Sequence, residues 1–141
     1  MQKLLLKDCS ALVDDGANGF RHLKSAWIGI ENDTIAYIGE TMPEGNWQQK
    51  SMRGALLIPG LINGHTHAAM TLLRGLGSGL PLDRWLKEAI FPVEDRLTEA
   101  DMRAGNALAQ MEMLRTGTTS YSDMYYMLHT EAELCSVSGM K

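Results

Sequence analysis

The stretch Pro59-Gly60-Leu61-Ile62-Asn63-Gly64-His65-Thr66-His67 ends on two histidines separated by one residue. Side chains alternate across a strand with a period of two, so in an extended segment His65 and His67 project to the same side and can bring two imidazole nitrogens to one ion. Neutral imidazole suits zinc, iron or nickel. The bland alternative is a pair of strand-end histidines making ordinary hydrogen bonds. His22 and His129 stand in loop-like contexts without a companion ligand and read as surface residues. Cys9 and Cys135 lie far apart with no CxxC spacing, which offers neither a zinc knuckle nor a redox pair, and both read as structural thiols.

A strand has to hold the two histidines. The uncharged runs at 55–58 and 61–62, punctuated by Pro59-Gly60, predict a strand covered on both faces, as in α/β folds. Ahead of it, residues 2–8, 25–31 and 34–39 read as strands of a small antiparallel β structure, with Asn32-Asp33 as a tight hairpin turn. Residues 41–49 read as a loop and 51–57 as a return strand. After His67 the periodicity changes. Residues 68–73 suit a short helical turn, and Gly75-x-Gly77-x-Gly79 a flexible loop, because the strand-to-turn context of a phosphate loop is missing.

A helix over 81–89 starts at a proline and is ended or kinked by Pro92. The next helix runs from a Thr98-x-x-Asp101 capping box to Arg115, stops at Gly117, and carries an apolar arc of Met102, Ala104, Gly105, Leu108, Ala109 and Met111. Glu112 falls inside that arc, where an unpaired carboxylate is costly, so it requires a hydrogen-bond partner and a structural role, such as tying the helix to a neighbouring strand. Residues 118–124 read as a second strand and 130–137 as a second helix that stops at Gly139. Strand, helix, strand, helix in this order implies a parallel sheet with covering helices. Asp123 lies near the C-terminal end of the second strand, where barrel enzymes keep functional groups, although a lone aspartate there is commonly a cap or turn residue.

The chain has 141 residues, 45% hydrophobic content and a formal charge of −4, which describes a globular protein rather than a disordered one. Its 13 Lys and Arg are scattered without a basic run, which argues against nucleic acid as a partner. The apolar run Leu4-Leu5-Leu6 is too short for a signal-peptide core or a membrane span, so a cytoplasmic protein without a membrane partner is expected.

Beyond the His-x-His element, the chain carries Leu72-Leu73-Arg74-Gly75, Leu80-Pro81-Leu82-x-x-Trp85-Leu86, Ile90-Phe91-Pro92-x-Glu94 and Glu112-Met113-Leu114-Arg115-Thr116-Gly117-Thr118-Thr119. With residues 59–67, these resemble the amidohydrolase superfamily and, within it, the 5-methylthioadenosine/S-adenosylhomocysteine deaminases. The resemblance implies an α/β architecture. Residues 1–55 would form an N-terminal segment of a small β-sandwich, and 56–141 the first strand-helix units of a (β/α)8 metal-dependent hydrolase barrel. Such a barrel takes about 250 residues, so the chain reads as truncated.

It further implies one divalent ion, zinc by preference with iron as the alternative, held in part by His65 and His67. Remaining ligands and the catalytic groups would come from later strands: a histidine after strand five with a glutamate close by, a histidine after strand six, and an aspartate after strand eight. No catalytic residue is therefore assigned to this chain. By the same resemblance Trp85 would lie over the substrate pocket and Glu94 would accept both ribose hydroxyl protons. Their bland readings are a packed helix residue and a solvated carboxylate beside Asp95 and Arg96.

The implied activity is metal-dependent deamination of adenosine-type small-molecule nucleosides, with the fragment inactive alone. Related enzymes acting on guanine-like or triazine rings form the second reading, and a non-catalytic fragment needing a partner chain the third. The oligomeric state stays open, with a homo-oligomer among the options.

Overall fold

The computed structural model describes residues 2–17 and 19–141, which divide into two units, Met1–Pro59 and Gly60–Lys141. The first unit is a single mixed sheet built on β1 (Lys3–Asp14). On one side β1 pairs antiparallel with β2 (Phe20–Glu31), which pairs antiparallel with β3 (Thr34–Gly39). Asn32, at φ 57°, makes the β2–β3 turn, in the left-handed conformation that Asn tolerates. On its other side β1 pairs parallel with β4 (Gln48–Ser51) and, farther along, with β5 (Leu56–Leu57). The antiparallel expectation therefore holds for three strands only. The expected return strand over residues 51–57 is replaced by these two short ones, because Met52, Arg53 and the left-handed Gly54 (φ 80°) interrupt the ladder. Cys9, Ala11, Leu23, Ala26 and Ile28 form the core of this unit. An apolar groove lined by Leu6, Val13, Ile30, Ile35, Ile38 and Ile58 lies on the sheet.

In the second unit β6 (Leu61–Thr66) runs parallel to β7 (Thr118–Asp123). The crossover passes through a 3-10 helix (Ala68–Leu73), α1 (Leu82–Arg84), a π segment (Trp85–Ile90), α2 (Phe91–Glu94) and α3 (Glu99–Arg115), and α4 (Leu128–Ser138) follows β7. The chain then returns beside β7: the Tyr121 amide donates to the Lys141 carbonyl (2.8 Å) and the Lys141 amide to that of Thr119 (3.1 Å). This strand-helix-strand-helix order is the parallel α/β organisation that the alternation of periods predicts. The strand is not covered on both faces here. Leu61 and Ile62 are 50% and 77% exposed, because β6 has β7 as its sole strand partner among the described residues.

Pro92 neither ends nor sharply interrupts its helix. It cannot donate a backbone hydrogen bond, and the chain widens ahead of it into the π segment, where the Phe91 amide reaches back five residues to the Leu86 carbonyl. The glycine stretch at 75–79 is a run of turns closed by Leu76–Leu73, Ser78–Gly75 and Leu80–Gly77 backbone bonds. Its three glycines all have positive φ.

Helix α3 begins at the predicted capping box, with the Thr98 side chain accepting from the Asp101 amide and the Asp101 carboxylate from the Thr98 amide. The buried face differs from the predicted apolar arc. It consists of Met102, Gly105, Asn106, Ala109 and Gln110, while Met111 is 50% exposed. Two amides are accommodated with their NH2 groups partnered: Asn106 donates to Thr130 Oγ1 (3.3 Å), and Gln110 donates to Tyr121 Oη (2.8 Å) and Cys135 Sγ (3.3 Å). At Gly105 the helix lies so close to the 3-10 helix that a Cβ would stand 2.6 Å from the Ala69 carbonyl oxygen. Among the described residues no helix is long and apolar enough to cross a membrane.

Candidate functional site

The carboxyl ends of β6 and β7 are knitted together by backbone and carboxylate bonds. The Met124 amide donates to the Thr66 carbonyl (3.2 Å), and the Asp123 carboxylate accepts from the Ala68 amide (3.2 and 3.4 Å) and from the Met124 amide (2.9 Å). Asp123 thus fixes how the chain leaves both strands, a turn-residue role. Between these anchors sits the histidine pair. His65 belongs to β6 and is exposed, and His67 follows the strand, half-buried. Their ring centroids are 5.3 Å apart with planes inclined by 67°. The Asn63 side chain accepts from the His65 amide (3.3 Å), a local turn that stiffens the strand end.

Tyr125, two residues beyond β7, stands with its ring edge-on to His67, centroids 5.6 Å apart and planes at 83°. Its hydroxyl donates to Glu94 Oε1 at 2.5 Å. Burial, reinforced by the bond to the Glu94 carboxylate, raises the Tyr125 hydroxyl well above the usual tyrosine value, so it remains a donor. Tyr126 packs on Tyr125 at 4.7 Å between centroids. The structure therefore connects His65, His67 and, through Tyr125, Glu94.

Trp85 stands outside that chain of contacts. Its indole donates to the Leu76 carbonyl (2.8 Å), and Gly77 gives it room: a Cβ there would stand 3.0 Å from Trp85 Cδ1. Glu112 lies off the buried face of α3, so burial does not demand its partner, and the partner it has is not on a strand. Arg74, at the end of the 3-10 helix, donates to both its carboxylate oxygens (3.1 and 2.6 Å) and holds it below the usual carboxyl range. His22 and His129 are exposed as expected, but they stand in β2 and at the start of α4 rather than in loops, and Cys9 and Cys135 are free thiols.

The sequence reading missed Tyr125. The available signal was its place just past the end of β7, the same positional logic that singled out Asp123. Behind β7 the carboxyl of Glu131 is also buried. Burial raises it above the usual glutamate range, the neighbouring Tyr121 hydroxyl opposes this, and the charge of Asp123 adds to it. Among the described residues no three His, Cys, Asp or Glu side chains come together in a way that could hold a metal ion.

The family model of the amidohydrolases matches residues 56–140. The chain is 39% identical over 146 residues to a 5-methylthioadenosine/S-adenosylhomocysteine deaminase of Moorella thermoacetica, covering 100% of this chain and 33% of the relative. It is 38% identical over 141 residues to a 5'-deoxyadenosine deaminase of Methanosarcina mazei, covering 100% and 32%. Among solved structures, an adenosine deaminase of Xanthomonas campestris with bound zinc superposes with a TM-score of 0.76 at 27% identity, covering 99% of this chain and 33% of that one. The chain spans about a third of the length of these relatives.

Proposed function

Because this chain belongs to the amidohydrolase family, we propose that it supplies the first metal-binding and nucleoside-binding groups of an enzyme that hydrolytically deaminates adenosine-type nucleosides. The activity would belong to a protein of the relatives' full length, with this chain as its N-terminal portion. The observation that carries the reading is the pairing of His65 and His67, ring centroids 5.3 Å apart at one strand end, with Glu94 joined to them through Tyr125.

The donor set fits a divalent ion in part. Two imidazoles from one strand end suit zinc first and iron second. A catalytic zinc usually takes three protein ligands, and no third joins them among the described residues, so further donors are required from elsewhere in the protein. When bound, the ion supplies Lewis-acid polarisation and an acidified water. This chain's residues do the rest of the binding. Glu94 accepts hydrogen bonds from the sugar hydroxyls, and Trp85 offers an apolar face to the purine. Proton transfer to the departing amino group needs a carboxylate from outside this chain.

The test is ammonia release by the intact protein from 5-methylthioadenosine, S-adenosylhomocysteine and adenosine. Turnover of at least one supports the reading. Turnover of guanine or a triazine instead would move the protein to the second class of amidohydrolase chemistry, and the 141-residue chain alone should release no ammonia.

A further inference from the structure

We infer that Tyr125 is a positioning residue that holds the Glu94 carboxylate for the sugar diol and spaces it from His67. The inference rests on Glu94 being the sugar-binding carboxylate. Glu94 is the last residue of α2, a four-residue helix that follows the π segment, and it is half-buried. A glutamate side chain has three rotatable bonds, and without an anchor it samples many orientations, each of which weakens a two-point contact to vicinal hydroxyls. Tyr125 removes that freedom. Its hydroxyl, 31 positions away in sequence, donates to Oε1 at 2.5 Å and leaves Oε2 and the remaining lone pair of Oε1 for ligand hydroxyls.

The same ring meets His67 edge-on at 5.6 Å between centroids, and Tyr126 backs it at 4.7 Å. One rigid aromatic thus touches both His67 and the sugar carboxylate. Its width sets the separation between the point where the base would react and the point where the sugar would be gripped. A residue in this role acts on ligand orientation through Glu94 and has no proton to transfer to the base.

The test uses the intact metal-loaded enzyme and compares Tyr125→Phe, which keeps the ring and its contact with His67, with Glu94→Ala and the double variant. Substrates are 5-methylthioadenosine and 2'-deoxyadenosine. Tyr125→Phe should raise KM for the ribonucleoside by about tenfold, the scale of one hydrogen bond to a charged group. It should change kcat by less than about twofold and leave metal content unchanged. The effect on the deoxynucleoside should be smaller. In the Glu94→Ala background the Tyr125→Phe change should add almost nothing, since the two act as one unit.

Unchanged KM in Tyr125→Phe with a raised KM in Glu94→Ala overturns the positioning role alone. Unchanged KM in both variants overturns the Glu94 reading and this inference with it. Equal, additive losses in the double variant, or loss of metal in Tyr125→Phe, show that Tyr125 acts otherwise than through Glu94. Thermal unfolding of each variant identifies one that has merely lost its fold, and Glu94→Gln then replaces Glu94→Ala in the comparison.

Discussion

Replacing Gly105 by Ala sets two opposite effects against each other at the contact that supports the histidine pair. Helix propensity alone favours the change, since Ala is better than Gly in a helix interior by about 0.8–1.0 kcal/mol. Packing opposes it. The added Cβ would stand 2.6 Å from the Ala69 carbonyl oxygen, 2.9 Å from its Cα and 3.1 Å from its carbonyl carbon. Carbon contacts are optimal at about 3.5–4.0 Å, so α3 and the 3-10 helix must separate by roughly 0.5–1 Å. All three atoms are backbone, which no rotamer can move aside, and Thr71 Oγ1 pins the two elements by donating to the Gly105 carbonyl (2.8 Å).

Overpacking of this kind costs about 1–3 kcal/mol. Subtracting the propensity gain leaves a net destabilisation of about 0–2 kcal/mol. Urea unfolding of the intact protein should show a lower midpoint with an unchanged slope. Ala69 is two residues past His67, so the displacement should also weaken metal retention. A midpoint raised by the amount that propensity alone predicts would refute the reasoning.

Three further outcomes follow from the buried polar groups and from the incomplete ligand set. Thr130→Val removes the acceptor of the buried Asn106 amide, whose Oδ1 has no partner among the described residues, and should cost about 1–3 kcal/mol in denaturant unfolding. Pairing it with Asn106→Leu should recover part of that loss, and simple addition of the two losses would count against the bond. Glu131 has a folded-state pKa above its unfolded one, so its stabilising share is full below the usual glutamate value of about 4.3 and is lost as pH rises through the folded value. Glu131→Gln should therefore stabilise the protein at neutral pH, with the gain fading below about pH 4, and a gain that grows toward acid would reverse the assignment. The 141-residue chain alone, supplied with zinc, should bind the ion weakly and release it to a mild chelator, since two imidazoles fall short of the usual three ligands; tight one-to-one binding in a dialysis assay would contradict this.

Much of the fold was legible because its signals are local. The Asn32-Asp33 turn, the Thr98 capping box and the stop at Gly139 each depend on a few adjacent residues, and the structure shows all three. The parallel pairing of β1 with β4 and β5 was not legible, because nothing in residues 48–57 encodes which strand they meet. Asn106 and Gln110 on the inner face of α3 defeated an apolar-arc reading for a similar reason. Their partners, Thr130 and Tyr121, lie 24 and 11 positions away. At the candidate site, the alternation rule was enough to bring His65 and His67 together. The link from His67 through Tyr125 to Glu94 could not be read, since it joins a strand end, a post-strand loop and a helix end, and Tyr125 and Glu94 alone are 31 positions apart in sequence.

The central claim is that His65 and His67 hold the metal of a nucleoside deaminase. It is tested most directly by metal analysis of the purified intact protein alongside His65→Ala and His67→Ala. The unsubstituted protein should carry a bound divalent ion and each variant a sharply reduced content, with ammonia release from 5-methylthioadenosine lost in step with the metal. Full metal content in both variants, with folding intact, would contradict it.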